Sequence, residues 1–441
     1  MERQRIRPST KAQGYHKQLL HAMGLYLPRR GLPLQSTDRR VRWTDRLIVM
    51  AAVLMAWQPA DKLIDAFEAA REVVVSMYAT RRRPGRHLRG FIAIVGTSSE
   101  RLLATVMPAL RRAVRSLAGT TWRQGRWVLM AVDGSRIDCP RTVANEQAFG
   151  CAGRKKTGPQ QMLTTVFHLT TGLIWDFRRG TGKASERRHL HEMIPTLPLR
   201  TLLLADAGFT GYDLLGSVLA AGHHFIVRVG GNVTLLKELG YYVRENNDTV
   251  YLWPSAKQRQ TPLVLRCVQL TVEGKRMCLL TSILSSAVLS DRQILQLYRR
   301  RWVVEVAFRC LKQTMGRRKM LSRCPRHAEV ELDWAVVGLA LLGLMATGAM
   351  PVRQQGRYSI ASALRAVRRA MRRQTSRPPK GGLLGQLRHA VIDRYRRTGP
   401  KQARDWPHKK NDPPPGPPRI RIAKRSEVTK AQQLRKAKLC A

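Results

Sequence analysis

Residues 127–135 read WVLMAVDGS and residues 201–208 read TLLLADAG. Each is a short apolar run that closes on an aspartate followed by a small residue. A continuous apolar run of this length, bounded by turn formers, fits a buried strand. Trp127–Val132 and Thr201–Ala205 therefore predict two strands, each delivering a carboxylate at its end: Asp133 and Asp206. Aspartate commonly opens turns, so one such site would carry little. Two with one grammar direct attention to what lies between and after them.

Between them, Leu163–Leu169 and Leu173–Arg178 alternate apolar and polar residues around Thr170-Thr171-Gly172, which predicts a β-hairpin. Glu186–Ile194 reads as a polar helix, Gly211–Ala221 as another helix and His224–Val229 as a strand. Residues 225–285 are rich in alternating Val, Leu and Tyr, with turn signals at Asn246-Asn247 and Glu273-Gly274, and read as a β-rich insertion. The order is strand with Asp, hairpin, helix, strand with Asp, later helix with Glu. It fits an α/β fold with a ribonuclease-H-like core over residues 121–350.

Residues 1–120 read as a helical N-terminal region, with Thr44–Trp57 (Thr44 as N-cap), Ala60–Tyr78 and Ser99–Leu117 as its helices. This region suits a DNA-binding domain and a packing layer equally, since no recognition-helix pattern stands out. Residues 351–441 form a basic C-terminal region. Arg357–Arg373 is helical in pattern, and Pro413–Pro418 with the Lys/Arg-rich end reads as disordered.

The helix with Glu is Tyr298–Lys312, YRRRWVVEVAFRCLK. At helical spacing Tyr298, Arg301, Glu305 and Lys312 fall within roughly a 60° arc, and Val303, Val304, Ala307, Cys310 and Leu311 lie opposite, able to pack on a core. Alone, this would be a solvated helix with an Arg–Glu pair. The two upstream aspartates change its meaning.

The 441 residues carry 79 Lys+Arg against 29 Asp+Glu, a formal net charge of +50. Such self-repulsion points to a polyanion partner, nucleic acid first, rather than a small metabolite. With 44% hydrophobic residues the chain has a folded body. Seven scattered cysteines form no CxxC or Cys/His cluster, which argues against a disulfide framework and a structural zinc, and for a reducing compartment. The basic N-terminus has no apolar run behind it, so no signal peptide is expected. Trp334–Met350 is the one long apolar run; a bilayer needs about 20 residues, and a buried helix is the expectation, with no membrane partner. Gly180-Thr181-Gly182-Lys183-Ala184 lacks the upstream glycine and the Ser/Thr of a phosphate loop. His189, His191, His223 and His224 are read as structural or surface groups.

Three carboxylates without His or Cys suit hard cations such as Mg²⁺ or Mn²⁺. Two such ions about 4 Å apart serve an in-line phosphoryl displacement. Arg301 is a fork and Lys312 a point charge for phosphodiesters, Tyr298 a hydroxyl donor, and Trp302 a flat face for a base or for packing.

Tyr298, Arg301, Glu305 and Lys312 match, position for position, the tyrosine–arginine–glutamate–lysine signature of the DDE transposases of the insertion-sequence-four type. Asp133-Gly134-Ser135 and the segment around Asp206 resemble that family's first and second acidic motifs. The resemblance covers residues 125–345. It implies metal-dependent cut-and-paste transposition: water cuts one strand at the transposon end and the freed 3′-OH attacks, in the best-known relatives first forming a hairpin. It also implies Asp133, Asp206 and Glu305 as catalytic and metal-holding residues, with Tyr298, Arg301 and Lys312 on DNA phosphates. The implied partners are double-stranded DNA, at transposon ends and target, and a second copy in a synaptic homodimer. The implied setting is the bacterial cytoplasm and nucleoid. The competing readings are an inactive DNA-binding derivative that inhibits transposition, a nuclease without strand transfer, and a membrane-surface protein.

Overall fold

The computed structural model describes residues 10–439, apart from 29, 35, 37, 39, 79–82, 152–157, 273–274, 352–356, 373–380 and 393–415. In chain order its elements are α1 (Thr10–Gly24), α2 (Asp45–Trp57), α3 (Leu63–Met77), α4 (Leu88–Ala118), β1 (Val128–Asp138), α5 (Val143–Phe149), β2 (Gln160–His168) and β3 (Leu173–Thr181). Then come α6 (Glu186–Met193), β4 (Thr201–Ala205), α7 (Tyr212–Ala220), β5 (His224–Val229), β6 (Thr234–Lys237), β7 (Thr249–Leu252), β8 (Leu263–Val272) and β9 (Lys275–Thr281). The chain continues with α8 (Asp291–Arg300), α9 (Trp302–Arg309), α10 (Pro325–Ala349), α11 (Ile360–Met371), α12 (Gly382–Arg388), β10 (Arg419–Ile422) and α13 (Arg425–Leu439). It is a mixed α/β protein that divides into two compact units. The first comprises residues 1–122, 134–185 and 304–393, and the second residues 123–133, 186–303 and 394–441.

The first unit is built on α10. This helix is long and apolar enough to cross a membrane by length and composition, and 89% of its apolar window is buried inside the protein. Its neighbours are α2, α4, α11 and α12. Gly338 lets α2 come close, since a Cβ there would lie 3.2 Å from the Ala56 Cβ, and Trp57 Nε1 donates to the Gly338 carbonyl at 3.0 Å. The buried Arg317 donates to the Met55 carbonyl at the end of α2 and pairs with Glu331 at 3.6 Å, so its charge meets both a helix C-terminus and a carboxylate. The predicted hairpin is present as antiparallel β2 and β3.

Strand β1 differs from its expectation. It does not stop at Val132 but runs on to Asp138, leaving Asp133 in mid-strand. The cause is the return segment after the signature helix: Asp138 N–H donates to the Arg318 carbonyl at 3.1 Å, and Met320 N–H donates to the Asp138 carbonyl at 2.8 Å. Ile137, fully buried, anchors the extension.

In the second unit, the first half of β1 lies parallel to β4, and β4 parallel to β5. Beyond β5 the sheet turns antiparallel through β9, β8, β7 and β6, so the β-rich insertion extends the sheet. The Glu273-Gly274 turn lies outside the described residues.

The far C-terminus also departs from its expectation. Part of Pro413–Pro418 falls outside the described residues, but the basic end is ordered. β10 pairs parallel with β6, and α13 buries Ala431 against Leu236, Leu239, Tyr251 and Trp253. Composition alone suggested disorder; the alternation of Arg419–Ile422 and a strand edge to cover explain the order.

Candidate active site

The strand registers build the site. In β1 and β4 Val128 is level with Thr201 and Ala131 with Leu204. The same offset carried two residues on aligns Asp133 with Asp206. In β4 and β5 Ala205 is level with Val227, and one more residue aligns Asp206 with Arg228. Within the paired stretch parallel neighbours lie about 4.8 Å apart, so the register leads Asp133, Asp206 and Arg228 to neighbouring positions, with Asp206 one residue past the end of β4. The two apolar runs are the reason: Leu129–Ala131 and Leu202–Ala205 are almost wholly buried, which fixes both strands in the core and with them the register.

The two carboxylates are held differently. The Arg301 guanidinium lies 3.0 Å from Asp133 Oδ2, with both side chains largely buried. Arg301 also lies 5.7 Å from the centre of the Tyr298 ring. Burial pushes the Tyr298 hydroxyl above its ordinary pKa, while nearby Arg301 and Arg228 pull it back. Its proton stays on at neutral pH, leaving a donor. Asp206 follows β4 directly and caps a single 3-10 turn, with Oδ1 accepting the Gly208 N–H at 2.9 Å. Arg187, at the start of α6, donates through Nε to the Gly208 carbonyl at 2.7 Å and clamps that turn.

The expected single helix Tyr298–Lys312 is not continuous. The capping box of Ser290 and Gln293 starts α8, Arg301 is a turn residue, α9 follows, and Cys310–Thr314 widens into a π-turn in which Met315 N–H reaches back to the Cys310 carbonyl at 2.9 Å. Counting 100° per residue therefore fails after Arg309. π-turns recur at functional sites, and this one carries Lys312. Tyr298, Arg301 and Trp302 belong to the second unit, and Glu305 and Lys312 to the first. Trp302 is 56% exposed, so tight packing is not its role. Burial lowers the Lys312 pKa, opposed by Asp138 and reinforced by Arg318. Among the described residues no group of three or more His, Cys, Asp and Glu side chains is gathered as a metal site.

Sequence reasoning missed Arg228, Arg187 and Asp138. Arg228 had a usable signal, a lone cation in the apolar strand HFIVRV. Arg187 and Asp138 had none.

This defines an α/β domain whose sheet presents a carboxylate pair ringed by guanidinium and phenol groups, a setting for phosphodiester chemistry. Residues 127–341 match the model of the transposase DDE domain, and the chain is similar to a transposase of the insertion-sequence-four type. A curated relative, "Transposase InsG for insertion sequence element IS4" of Escherichia coli (strain K12), is 29% identical over 222 residues, which cover 47% of this chain and 50% of that protein. The match thus spans about half the length of the relative. Among solved structures, the piggyBac transposase synaptic complex with hairpin DNA aligns over 90% of this chain and 86% of that one, at 11% identity and a TM-score of 0.40. A likeness that slight bears on neither fold nor function.

Proposed function

We propose that this protein is a DNA transposase that moves an insertion sequence by metal-dependent cut-and-paste, as a polynucleotidyl transferase with a ribonuclease-H-like core. The observation that carries this reading is the Asp133–Asp206–Arg228 row with Arg301 on Asp133. Chain order supports the core: β1, the short α5, the antiparallel β2–β3 hairpin, α6, β4, α7 and β5, with β4 parallel to both β1 and β5.

In this reading Asp133, Asp206 and Glu305 are the catalytic carboxylates and hold two Mg²⁺ or Mn²⁺ ions. The donor set fits, being all carboxylate and free of the soft ligands that favour zinc. When bound, such ions supply an activated water and stabilise the leaving oxygen. The protein's own groups do the rest. Arg301 exchanges part of its hold on Asp133 for a phosphate oxygen, Tyr298 donates its hydroxyl to another, and Lys312 adds a point charge. Trp302 offers its exposed face to a base. Cutting frees a 3′-OH, which attacks the next phosphodiester and expels one strand oxygen. The partners are double-stranded DNA at transposon ends and target, and a second copy in the synaptic complex. The site of action is the bacterial cytoplasm, at the nucleoid.

The test is cleavage of a labelled transposon-end duplex with Mg²⁺ or Mn²⁺. Wild type cuts; Glu305→Ala and Asp133→Asn bind the duplex but do not cut it. Cutting that survives either change removes that residue from the site.

A further inference from the structure

At the N-terminal end of β1, away from mid-strand Asp133, the second unit holds a cavity of about 250 Å³. It lies between the turn that enters β1 and the flank of α8, and six residues give it its chemistry: Gln124, Arg126, Trp127, Gln293, Gln296 and Arg300. The turn is tight. Gln124 and Trp127 exchange both backbone hydrogen bonds, and Gly125 takes a positive φ of 59°. Arg300 Nη1 donates to Gln124 Oε1 at 2.6 Å, which fixes the guanidinium at the wall while its other N–H groups remain for a ligand. None of the eleven lining residues is acidic. Buried Leu129, Leu289 and Leu297, with Val288, complete the lining.

We infer that this cavity binds one nucleotide unit, with phosphate on Arg300 and Arg126 and base against Trp127 and the glutamines. Glutamine amides carry donor and acceptor together, which is what a base edge requires, and an indole offers a stacking face. Trp127 is oriented by His224, whose ring meets it edge-on at 4.6 Å. The volume lies just below the roughly 300–1,000 Å³ of drug-sized ligand sites, too small for a duplex and suited to a single unit. The site is separate from the carboxylate row. Leu129 and Asp133 are four residues apart on one strand, about 13 Å. Residues 293, 296 and 300 of α8 face the cavity, whereas Tyr298 and Arg301 face the row. A ligand in the cavity thus bears on the helix that positions Arg301. The inference rests on the transposase reading only for the source of the nucleotide, a single strand of DNA or a free mononucleotide.

The experiment is photo-crosslinking of the full chain with 5-iododeoxyuridine monophosphate, mapped by peptide mass spectrometry. The label is expected within residues 124–129 and is displaced by dTMP at concentrations at which inorganic phosphate does not compete. Arg300→Gln weakens labelling about tenfold. Gln296→Trp, at an exposed position that leaves the fold intact, fills the cavity and abolishes it. Tetrathymidylate competing more strongly per nucleotide than dTMP assigns the source to a strand, and equal competition to the free nucleotide. Labels scattered over the Lys/Arg-rich segments, phosphate competing as well as dTMP, or Gln296→Trp labelling like wild type would overturn the inference. Asp133→Asn retains labelling, so failure of the cleavage test and failure of this one are distinguishable.

Discussion

Asp133 and Asp206 stand level on neighbouring strands, yet the protein holds them by different means. Asp133 lies inside a long strand and is met by a side chain, Arg301, at 3.0 Å. Asp206 lies one residue past the end of its strand and is met by a backbone amide, that of Gly208, at 2.9 Å. A guanidinium can leave and take a phosphate instead; a backbone N–H in a capped turn cannot. The contrast assigns the two halves of the pair different duties. In the proposed reading Asp206 is the fixed partner, and Asp133 is the one whose electrostatic surroundings would change on binding DNA.

The largest effects test the pair itself. Asp133→Asn and Asp206→Asn should each reduce end cleavage by more than the roughly 10–100-fold that loss of an outer-shell partner costs, with duplex binding retained in a gel-shift assay. A variant that still cuts within tenfold of wild type would break the symmetry of the pair and leave one carboxylate as a structural group.

Arg301 comes next. Arg301→Ala leaves Asp133 largely buried without its guanidinium and should lower stability by about 1–3 kcal/mol, read from urea unfolding. Arg301→Lys keeps the charge but not the fork, so it should recover most of the stability and little of the cleavage. If lysine restores both, Arg301 is only a counter-charge, and the proposed exchange onto phosphate is wrong.

Gly208→Ala probes the fixed partner. A Cβ there would lie 3.0 Å from Asp206 Oδ1 and 3.7 Å from Glu186 Oε2. The methyl obliges the carboxylate to give by a few tenths of an ångström without touching the core. Cleavage should fall roughly 10–100-fold while thermal unfolding moves little, since surface changes stay within about 0.5 kcal/mol. Equal loss in both measurements would mean that the turn supports the fold rather than aims Asp206.

Much of this arrangement was legible before the structure. Thr201–Ala205 and His224–Val229 have the predicted boundaries because apolar runs bounded by small or polar residues leave few alternatives. The hairpin and the helices after Asp206 follow from alternation and turn residues. What could not be read depends on pairing. Nothing local sets Arg228 level with Asp206, because register appears only when two strands are laid together. The extension of β1 to Asp138 needs the distant Arg318 and Met320 as partners. The π-turn at Cys310–Thr314 breaks a periodicity that the residues themselves keep. The ordered end at 419–439 was hidden by its charge, which reads as disorder until β6 offers an edge.

A third carboxylate sharpens the contrast between side-chain and backbone partners, because Glu427 has both. Arg421 grips it with two nitrogens at 2.8 and 2.7 Å, and the Lys424 amide donates at 2.8 Å. Foremost through Arg421, these bonds hold its carboxyl at about 2, below the ordinary 4.5. Because the folded value is depressed, its contribution is complete above pH 4.5 and fades as pH falls toward 2. Glu427 opens α13, whose Ala431 seals the cluster around Tyr251 and Trp253. Hydrogen exchange in residues 419–439 should therefore rise between pH 4.5 and 2 beyond the intrinsic rate, ahead of exchange in β4 and β5. Arg421→Ala removes the larger cause and leaves the amide, so the rise should begin at higher pH but still lie below 4.5. A rise that does not move with Arg421→Ala would show that the Lys424 amide, with the Gln258 side chain that donates at 3.2 Å, fixes this carboxylate without the guanidinium. A rise that moves all the way to 4.5 would make Glu427 a second Asp133, held by its guanidinium.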